Sequence, residues 1–356
     1  MKRTNLLRNI TLGMVLSGFA CSSCTDFDEL NTDPTRMEKV NPGTLLDPIL
    51  YDMGTYNWNR YYDYTFPLMQ CLVSNNGTSG VGWWNMTDSR GDGTWNTYYK
   101  WINNAKEIQR LNAQLASPEP NYEAVSLTLQ SWMYGILADA FGDIPMSADQ
   151  GILAPRFDRQ EQVYRQILDN LKTANSLFDT ESGLVYNTSG DMLYSTTDGE
   201  GIKKWQKFCN SLLMRTLTRL LDAEGFNAQA ELQEMYDNPA TYPVFESNDD
   251  AAMLGISGVF PEEAPMARPQ DFTSYVNLSE FFIDLLNSWN DPRLPVFATQ
   301  VEQEDGTKAY VGLPSGYLTL PAITASLPNQ SMAKAPMDLT LMSYAEVEFI
   351  KAELFQ

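Results

Sequence analysis

Two adjacent indoles, Trp83 and Trp84, are followed by the amide of Asn85 and the carboxylate of Asp88 in a stretch, 75–93, built mostly of Gly, Asn, Ser and Asp. Sugar rings offer flat CH faces that stack on aromatic side chains, and their hydroxyls pair with amides and carboxylates. This loop therefore has the chemistry of glycan recognition. Neighbouring tryptophans in a Gly-rich loop cannot both enter one core, so at least one is expected at the surface. Ligand contact and burial beneath the loop are the two readings left open. Trp58, Tyr61 and Tyr62 lie at helical spacing and read first as core, with ligand contact as the second reading. Trp95 and Tyr98 are similar, but their closeness to the loop brings them into the candidate set. That set is Trp83, Trp84, Asn85, Trp58, Tyr61, Trp95 and Tyr98, while Trp132, Trp205 and Trp289 fall in regular apolar stripes and are assigned to packing.

The 356-residue chain contains no histidine. This excludes Ser-His-Asp and Cys-His nucleophile activation, His-containing zinc sites and HExxH hydrolysis. Carboxylate-only catalysis survives, and Asp249-Asp250 or Glu262-Glu263 could suggest a glycosidase. Such chemistry needs two carboxyls roughly 5–9.5 Å apart across a sugar, and adjacency in sequence supplies no such spacing. Asp139 and Asp143 are read as turn and helix-end residues around Gly142 and Pro145. Asp291-Pro292-Arg293 reads as a turn with an internal ion pair, and Arg215 and Arg219 as partners of acids on a neighbouring helix. No Gly-rich phosphate loop follows a strand and no EF-hand spacing occurs, so no cofactor and no metal are expected. A formal net charge of -21 repels phosphate backbones and excludes nucleic acid as a natural partner.

These side chains must be positioned by helices. Val125, Leu129, Trp132, Ile136 and Ala140 recur at steps of three and four, as do Val163, Ile167, Leu171, Ala174 and Phe178 after Asp158, which reads as an N-cap. Trp205, Phe208, Leu212, Thr216 and Leu220 mark another helix. Further helices are expected over 45–71 and 94–115, on Leu278, Phe281, Leu285 and Trp289, and from Ser343 onward. Strand signals are limited to 310–313 and 317–320. The expected fold is mainly α, with long irregular loops and minor β.

At the N-terminus, Lys2, Arg3 and Arg8 precede a short apolar run that is below the roughly 20 residues a membrane span needs. Small residues then lead to Cys21 and Cys24, as at the end of a lipoprotein signal. Cys24 is favoured as the acylated residue, with Cys21 as the alternative and an unmodified cysteine in a cleaved signal peptide as the bland reading. The division is a signal peptide at 1–23, an acylated flexible tether at 24–43 and a single α-rich domain at 44–356. Cys71 and Cys209 are left either to pair or to remain free thiols.

Five strings occur in order along the chain: Cys24 to Pro34 (Cys-Thr-Asp-Phe-Asp-Glu-Leu-Asn-Thr-Asp-Pro), Ala138 to Pro145 (Ala-Asp-Ala-Phe-Gly-Asp-Ile-Pro), Lys204 to Asn210 running on to Arg215 and Arg219, Asn290 to Arg293, and Ser343 to Glu348. Together they resemble the SusD/RagB-like nutrient-binding outer-membrane lipoproteins. The resemblance implies a SusD-like scaffold with tetratricopeptide-like helix pairs, palmitate-type acyl anchoring and display on the outer face of the outer membrane. It also implies a SusC-like TonB-dependent transporter as partner, over which the protein sits as a lid and to which it delivers an oligosaccharide or other nutrient without catalysis. Two alternatives stand beside it, a surface α-helical glycoside hydrolase and a structural transporter lid without ligand specificity. Relatives continue beyond the point where Glu353-Leu-Phe-Gln356 ends in mid-helix, so the domain is expected to be incomplete at its C-terminus.

Overall fold

The computed structural model describes residues 40–147 and 153–354. The proposed signal segment, Cys21, Cys24 and the tether up to residue 39 lie outside these residues. The described chain enters its first turn at once. Asn41 accepts from the backbone N–H of Thr44, closing a capping box on the 3-10 turn Pro42–Leu45.

Among the described residues eight helices of nine residues or more carry the fold: α1 (Leu46–Arg60), α2 (Asp92–Ala113), α3 (Pro120–Phe141), α4 (Gln160–Leu177), α5 (Gly199–Arg219), α6 (Ala228–Asp237), α7 (Glu280–Ser288) and α8 (Tyr344–Leu354). The most extensive helix contacts run from α2 to α3, α3 to α4 and α4 to α5, so successive helices pack as neighbours. Between α2 and α3 the turn is tied by Asn112, whose Nδ2 donates to the Glu119 carbonyl while its Oδ1 accepts from the Glu119 N–H, each at 2.9 Å. Helix α3 is the centre of the stack. Its apolar positions Tyr122, Val125, Leu129, Trp132, Met133 and Leu137 are buried, and so are the polar Asn121, Ser126, Thr128, Gln130 and Ser131. Ser126 donates to the Ala105 carbonyl at 2.6 Å, and Gln130 reaches both Ser126 and Gln109. Those bonds satisfy groups that would otherwise be costly to bury. Gly142 ends α3 at φ +76, in the left-handed region that Gly tolerates, donating its N–H to the Ala138 carbonyl.

The expected strands fall elsewhere. Residues 317–320 are irregular, and of 310–313 only Leu313 bridges, to Ser279. The ladders are β1 (Leu72–Ser74) with β3 (Val276–Leu278), β2 (Ala252–Ile256) with β6 (Met337–Met342), and β4 (Val301–Glu302) with β5 (Lys308–Ala309), all antiparallel. Leu254 pairs with Leu339, and both side chains lie against Gly54 of α1, where an added Cβ would sit 3.1 Å from each. The α7 helix starts at Glu280 rather than Leu278, because Leu278 pairs with Leu72 and Ser279 caps the helix through its bond from the Phe282 N–H. At α4 the N-cap is Arg159, and Asp158 instead accepts from the Met146 N–H. Cys71 and Cys209 are free thiols. Among the described residues no helix is long and apolar enough to cross a membrane.

Three tyrosines in this core carry hydroxyls with buried partners: Tyr98 donates to Asn57, Tyr122 to Asn187 and Tyr194 to the Asp250 carbonyl. Burial disfavours the phenolate and pushes all three upward from the ordinary tyrosine range. A folded-state value above the unfolded one leaves stability intact below pH ~10 and erodes it as pH rises past that point. In an absorbance titration at 295 nm, these three are expected to ionise only together with cooperative unfolding, after the exposed tyrosines.

Candidate functional site

The aromatic loop is held in place by a defect in the first helix. Pro67 has no N–H, so the carbonyl of Asp63 loses the donor that a continuing helix would give it. Residues Tyr61–Thr65 widen into a π turn whose i+5 bond runs from the Phe66 N–H to the Tyr61 carbonyl. The Asp63 carbonyl instead accepts from the Arg90 guanidinium at 2.7 Å. Next to it, the side chain of Gln70 donates to the carbonyls of Pro67 (2.9 Å) and Gly82 (3.0 Å). The loop is thus pinned at Gly82 and at Arg90, on either side of Trp84. Tyr64 lies under two guanidinium groups, with Arg60 at 4.3 Å and Arg90 at 5.6 Å from its ring centre.

Within the loop the two indoles separate. Trp83 packs against Tyr317 edge to face at 5.2 Å, beside Val73, Leu313 and Ala325. The Tyr317 hydroxyl in turn donates to the Ser74 carbonyl at 2.6 Å. Trp84 points the other way and is 68% exposed. It closes the 3-10 turn Val81–Trp83 with φ +58, the left-handed region, and its N–H bonds the Val81 carbonyl. A bulky residue in that region is uncommon and costs about 1–2 kcal/mol. Asn85 follows it, also exposed.

A second surface lies along α2. Trp95, Asn96, Tyr99, Lys100, Asn103 and Asn104 recur at the helical steps of one face and, with Pro145, Pro155 and Phe157, line a concavity of about 630 Å³. Its floor is aromatic: Trp95 lies 4.9 Å from Tyr99, 5.2 Å from Phe141 and 5.9 Å from Phe157 between ring centres. Tyr99 donates to the Pro145 carbonyl at 3.0 Å, fixing its ring. The rim offers amides and a lysine.

The remaining candidates divide. Tyr98 is a core residue at 1% exposure, because it lies on the α2 face that carries Thr94, Trp101, Ile102 and Ala105 inward. Trp58 is half-buried, stacked on Tyr62 and against Phe272, a packing role. Tyr61 lines a separate polar cavity with Arg60 and Arg215. Trp289, assigned to packing, is 63% exposed. It sits one residue past the end of α7 and just before Asn290 at φ +49, so the helical phase that buried Ile283 and Leu286 no longer applies to it. It borders an apolar cavity of about 290 Å³ with Phe66, Phe272, Phe282 and Phe297, residues from separate segments whose meeting helical spacing does not reveal.

The acids have structural partners. Asp139 pairs with Arg219 at 3.1 Å and accepts from the Tyr164 hydroxyl, while Asp143 accepts from the first N–H of α4 at Gln160. Arg215 pairs with Glu346 of α8. Burial would raise the Asp250 carboxyl, but its bonds from the Glu246 N–H and the Lys207 ammonium bring it below the usual carboxylate range. The guanidinium and N–H of Arg293 hold Asp291 at about 2. Among the described residues no group of three His, Cys, Asp or Glu is placed to hold a metal.

A family described as "Starch-binding associating with outer membrane", SusD-like, matches residues 34–356. No curated protein matches the chain by sequence. The fold resembles a SusD homologue of Bacteroides fragilis (TM-score 0.71, 21% identity, covering 89% of this chain and 68% of that one). It also resembles a chitin-binding protein (0.74, 21%, 88% and 69%) and a SusD/RagB family protein of Bacteroides thetaiotaomicron (0.69, 21%, 89% and 67%). At that identity the likeness shows the fold alone. The family match spans the whole described fold, from the capped first turn through the pinned indole loop to α8, and the chain therefore belongs to the SusD-like, outer-membrane-associated family.

Proposed function

We propose that this protein captures an extracellular oligosaccharide on the aromatic loop and the α2 groove and hands it, unaltered, to a SusC-like TonB-dependent transporter. Acylation at Cys24, or at Cys21, would hold it on the outer face of the outer membrane, the single α-rich domain standing off on a tether. The observation that carries the reading is Trp84: an exposed indole kept in a costly backbone conformation on a loop pinned by Arg90, Gln70 and Trp83. A rigid platform of this kind binds a sugar face without first ordering a mobile loop. The α2 groove adds the complementary chemistry, an indole and a phenol for stacking and Asn96, Asn103 and Asn104 for hydroxyls. The ion-paired state of Asp139, Asp250 and Asp291 supports a role without bond cleavage.

The test is binding without turnover. Maltooligosaccharides and chitooligosaccharides are the first probes, because the family is described as starch-binding and one structural relative as chitin-binding. One of these series is expected to quench tryptophan fluorescence, with no new reducing ends on prolonged incubation. Release of reducing ends, abolished by replacing one carboxylate, would establish the hydrolase reading instead.

A further inference from the structure

Three segments of the sequence carry no charged residue: 64–87, 272–279 and 309–333. In a chain that is 19% charged, long uncharged stretches belong in a core, as 124–138 of the buried α3 does, because ionised side chains are kept at the surface. Here parts of all three are open to solvent, and the fold laces them together beyond the β1–β3 ladder. Trp83 and Tyr317 pack on Val73, Leu313 and Ala325, and the Tyr317 hydroxyl reaches the Ser74 carbonyl. The Asn75 N–H donates to the Tyr275 carbonyl at 3.0 Å, and Asn277 Nδ2 to the Ala325 carbonyl at 2.9 Å. Exposed on these segments are Trp84, Met86, Tyr275, Leu318, Leu320 and Ile323. The exposed polar groups that accompany them are neutral, such as Asn76, Asn85, Thr319 and Thr324. The charges that bound the segments give an anion no foothold. Asp63, Asp88, Asp271 and Glu280 are acids, Lys308 lies opposite Glu302 in the β4–β5 ladder, and Lys334 comes after the turn Gln330–Ala333. Arg90 is spent on Asp63, through its carbonyl at 2.7 Å and its carboxylate at 3.5 Å, and Lys100 of the α2 groove lies 3.8 Å from Asp52.

We infer that this surface selects uncharged glycan: the chain captured at Trp84 is built of neutral or N-acetylated hexoses, not of uronic, sialic or sulfated sugars. The inference rests on capture at Trp84 and narrows its substrate class. A sugar carboxylate laid on these segments would give up its water and meet neutral donors only, the costly case of a desolvated charge without a charged partner. Surfaces that take such anions present Arg or Lys, often in bidentate pairs. The net charge of -21 adds repulsion at longer range. A neutral sugar meets neither penalty. Its CH faces suit the rings of Trp84 and Tyr275, and its hydroxyls suit amides and hydroxyls.

Calorimetric titration of the full chain with maltohexaose, chitohexaose and mannohexaose, each beside the same oligosaccharide oxidised at C6 to uronates, tests it. The neutral chain that responds is expected to bind with an affinity that moves by less than about twofold between ~0.01 and ~0.15 M ionic strength. Its oxidised counterpart is expected to bind at least about tenfold more weakly at the lower ionic strength and to regain part of that loss as salt is added. Met86→Lys places a cation two residues beyond Trp84 and is expected to narrow the gap severalfold. An oxidised chain that binds as tightly as its parent, and loses affinity with Trp84→Gly, overturns the inference and leaves capture at Trp84 standing. Neutral binding that persists in both Trp84→Gly and Tyr275→Ala assigns the uncharged surface to a protein partner and overturns both. Absence of binding by every neutral chain overturns both as well.

Discussion

Replacing Trp205 by alanine is expected to destabilise the fold by about 3–5 kcal/mol, the cost of emptying a fully buried indole site. Trp205 is 0% exposed, edge to face with Tyr194 at 5.7 Å and tilted against Phe208 at 5.9 Å. Its Nε1 donates to Asp191 Oδ2 at 3.2 Å. That carboxylate is 4% exposed and its other oxygen accepts from the N–H groups of Leu193 and Tyr194, which form the segment leading into α5. Truncation therefore leaves a void and strips one donor from a buried anion. Trp205→Phe fills part of the void but still removes the donor, so an intermediate loss is expected. Urea unfolding followed by circular dichroism measures both. A midpoint for Trp205→Ala within error of the parent would show that α5 is not held by this contact.

Trp205 and Trp289 show how far helical spacing can be trusted. Both belong to a stripe of apolar residues at steps of three and four, and only Trp205 is inside. Its stripe runs through the middle of α5, where the neighbours on either side fix the phase. The stripe of Trp289 belongs to the nine-residue α7, and Trp289 occupies the C-cap, where the backbone leaves the helix. Periodicity says nothing about a residue beyond the last turn. A second limit appears on α2, which has aromatics on two faces. Tyr98 and Trp95 are three residues apart, yet one faces α3 and the other lines the groove. Nothing in their types distinguishes them. Choosing between them requires knowing that α1 and α3 cover the face bearing Thr94, Tyr98 and Trp101.

The strands were the least legible element. Leu72 pairs with Leu278 and Ala252 with Met342, partners far apart in sequence, in runs of three to six residues of which only Ala252–Ile256 alternates in burial. Such short ladders are made by tertiary contact more than by intrinsic preference. The ion pairs of Arg215 and Arg219 with acids on neighbouring helices were legible, because two arginines four apart share a face and helices pack side by side. Pinning of the loop through Asp63 was also within reach of the sequence. Pro67 must leave a helical carbonyl without a donor, and Arg90 follows in the loop that returns over it. That signal concerned a missing hydrogen bond, which hydrophobic patterning does not register.

The loop gives the sharpest separation between binding and stability. Trp84→Gly removes the indole and also the steric cost of a left-handed backbone, because Gly adopts φ +58 freely. Stability is therefore expected to hold or to rise by up to about 1 kcal/mol. Oligosaccharide affinity is expected to fall roughly 30-fold, corresponding to about 2 kcal/mol for the aromatic surface a sugar face would cover. Trp83→Ala behaves differently. Its ring anchors the loop on Tyr317, so truncation lowers stability and weakens binding together, by loosening the platform rather than removing the stack. Trp95→Ala tests the groove, where a loss of similar size is expected with a modest loss of stability from the Phe141 and Phe157 contacts. Fluorescence or calorimetric titration of the three variants, beside their unfolding midpoints, resolves the contributions. If Trp84→Gly and Trp95→Ala both bind the responding oligosaccharide as tightly as the parent, the indoles are not the capture surface. The strained conformation of Trp84 would then have to be explained by contact with the transporter, and co-purification of Trp84→Gly with the barrel would measure that directly.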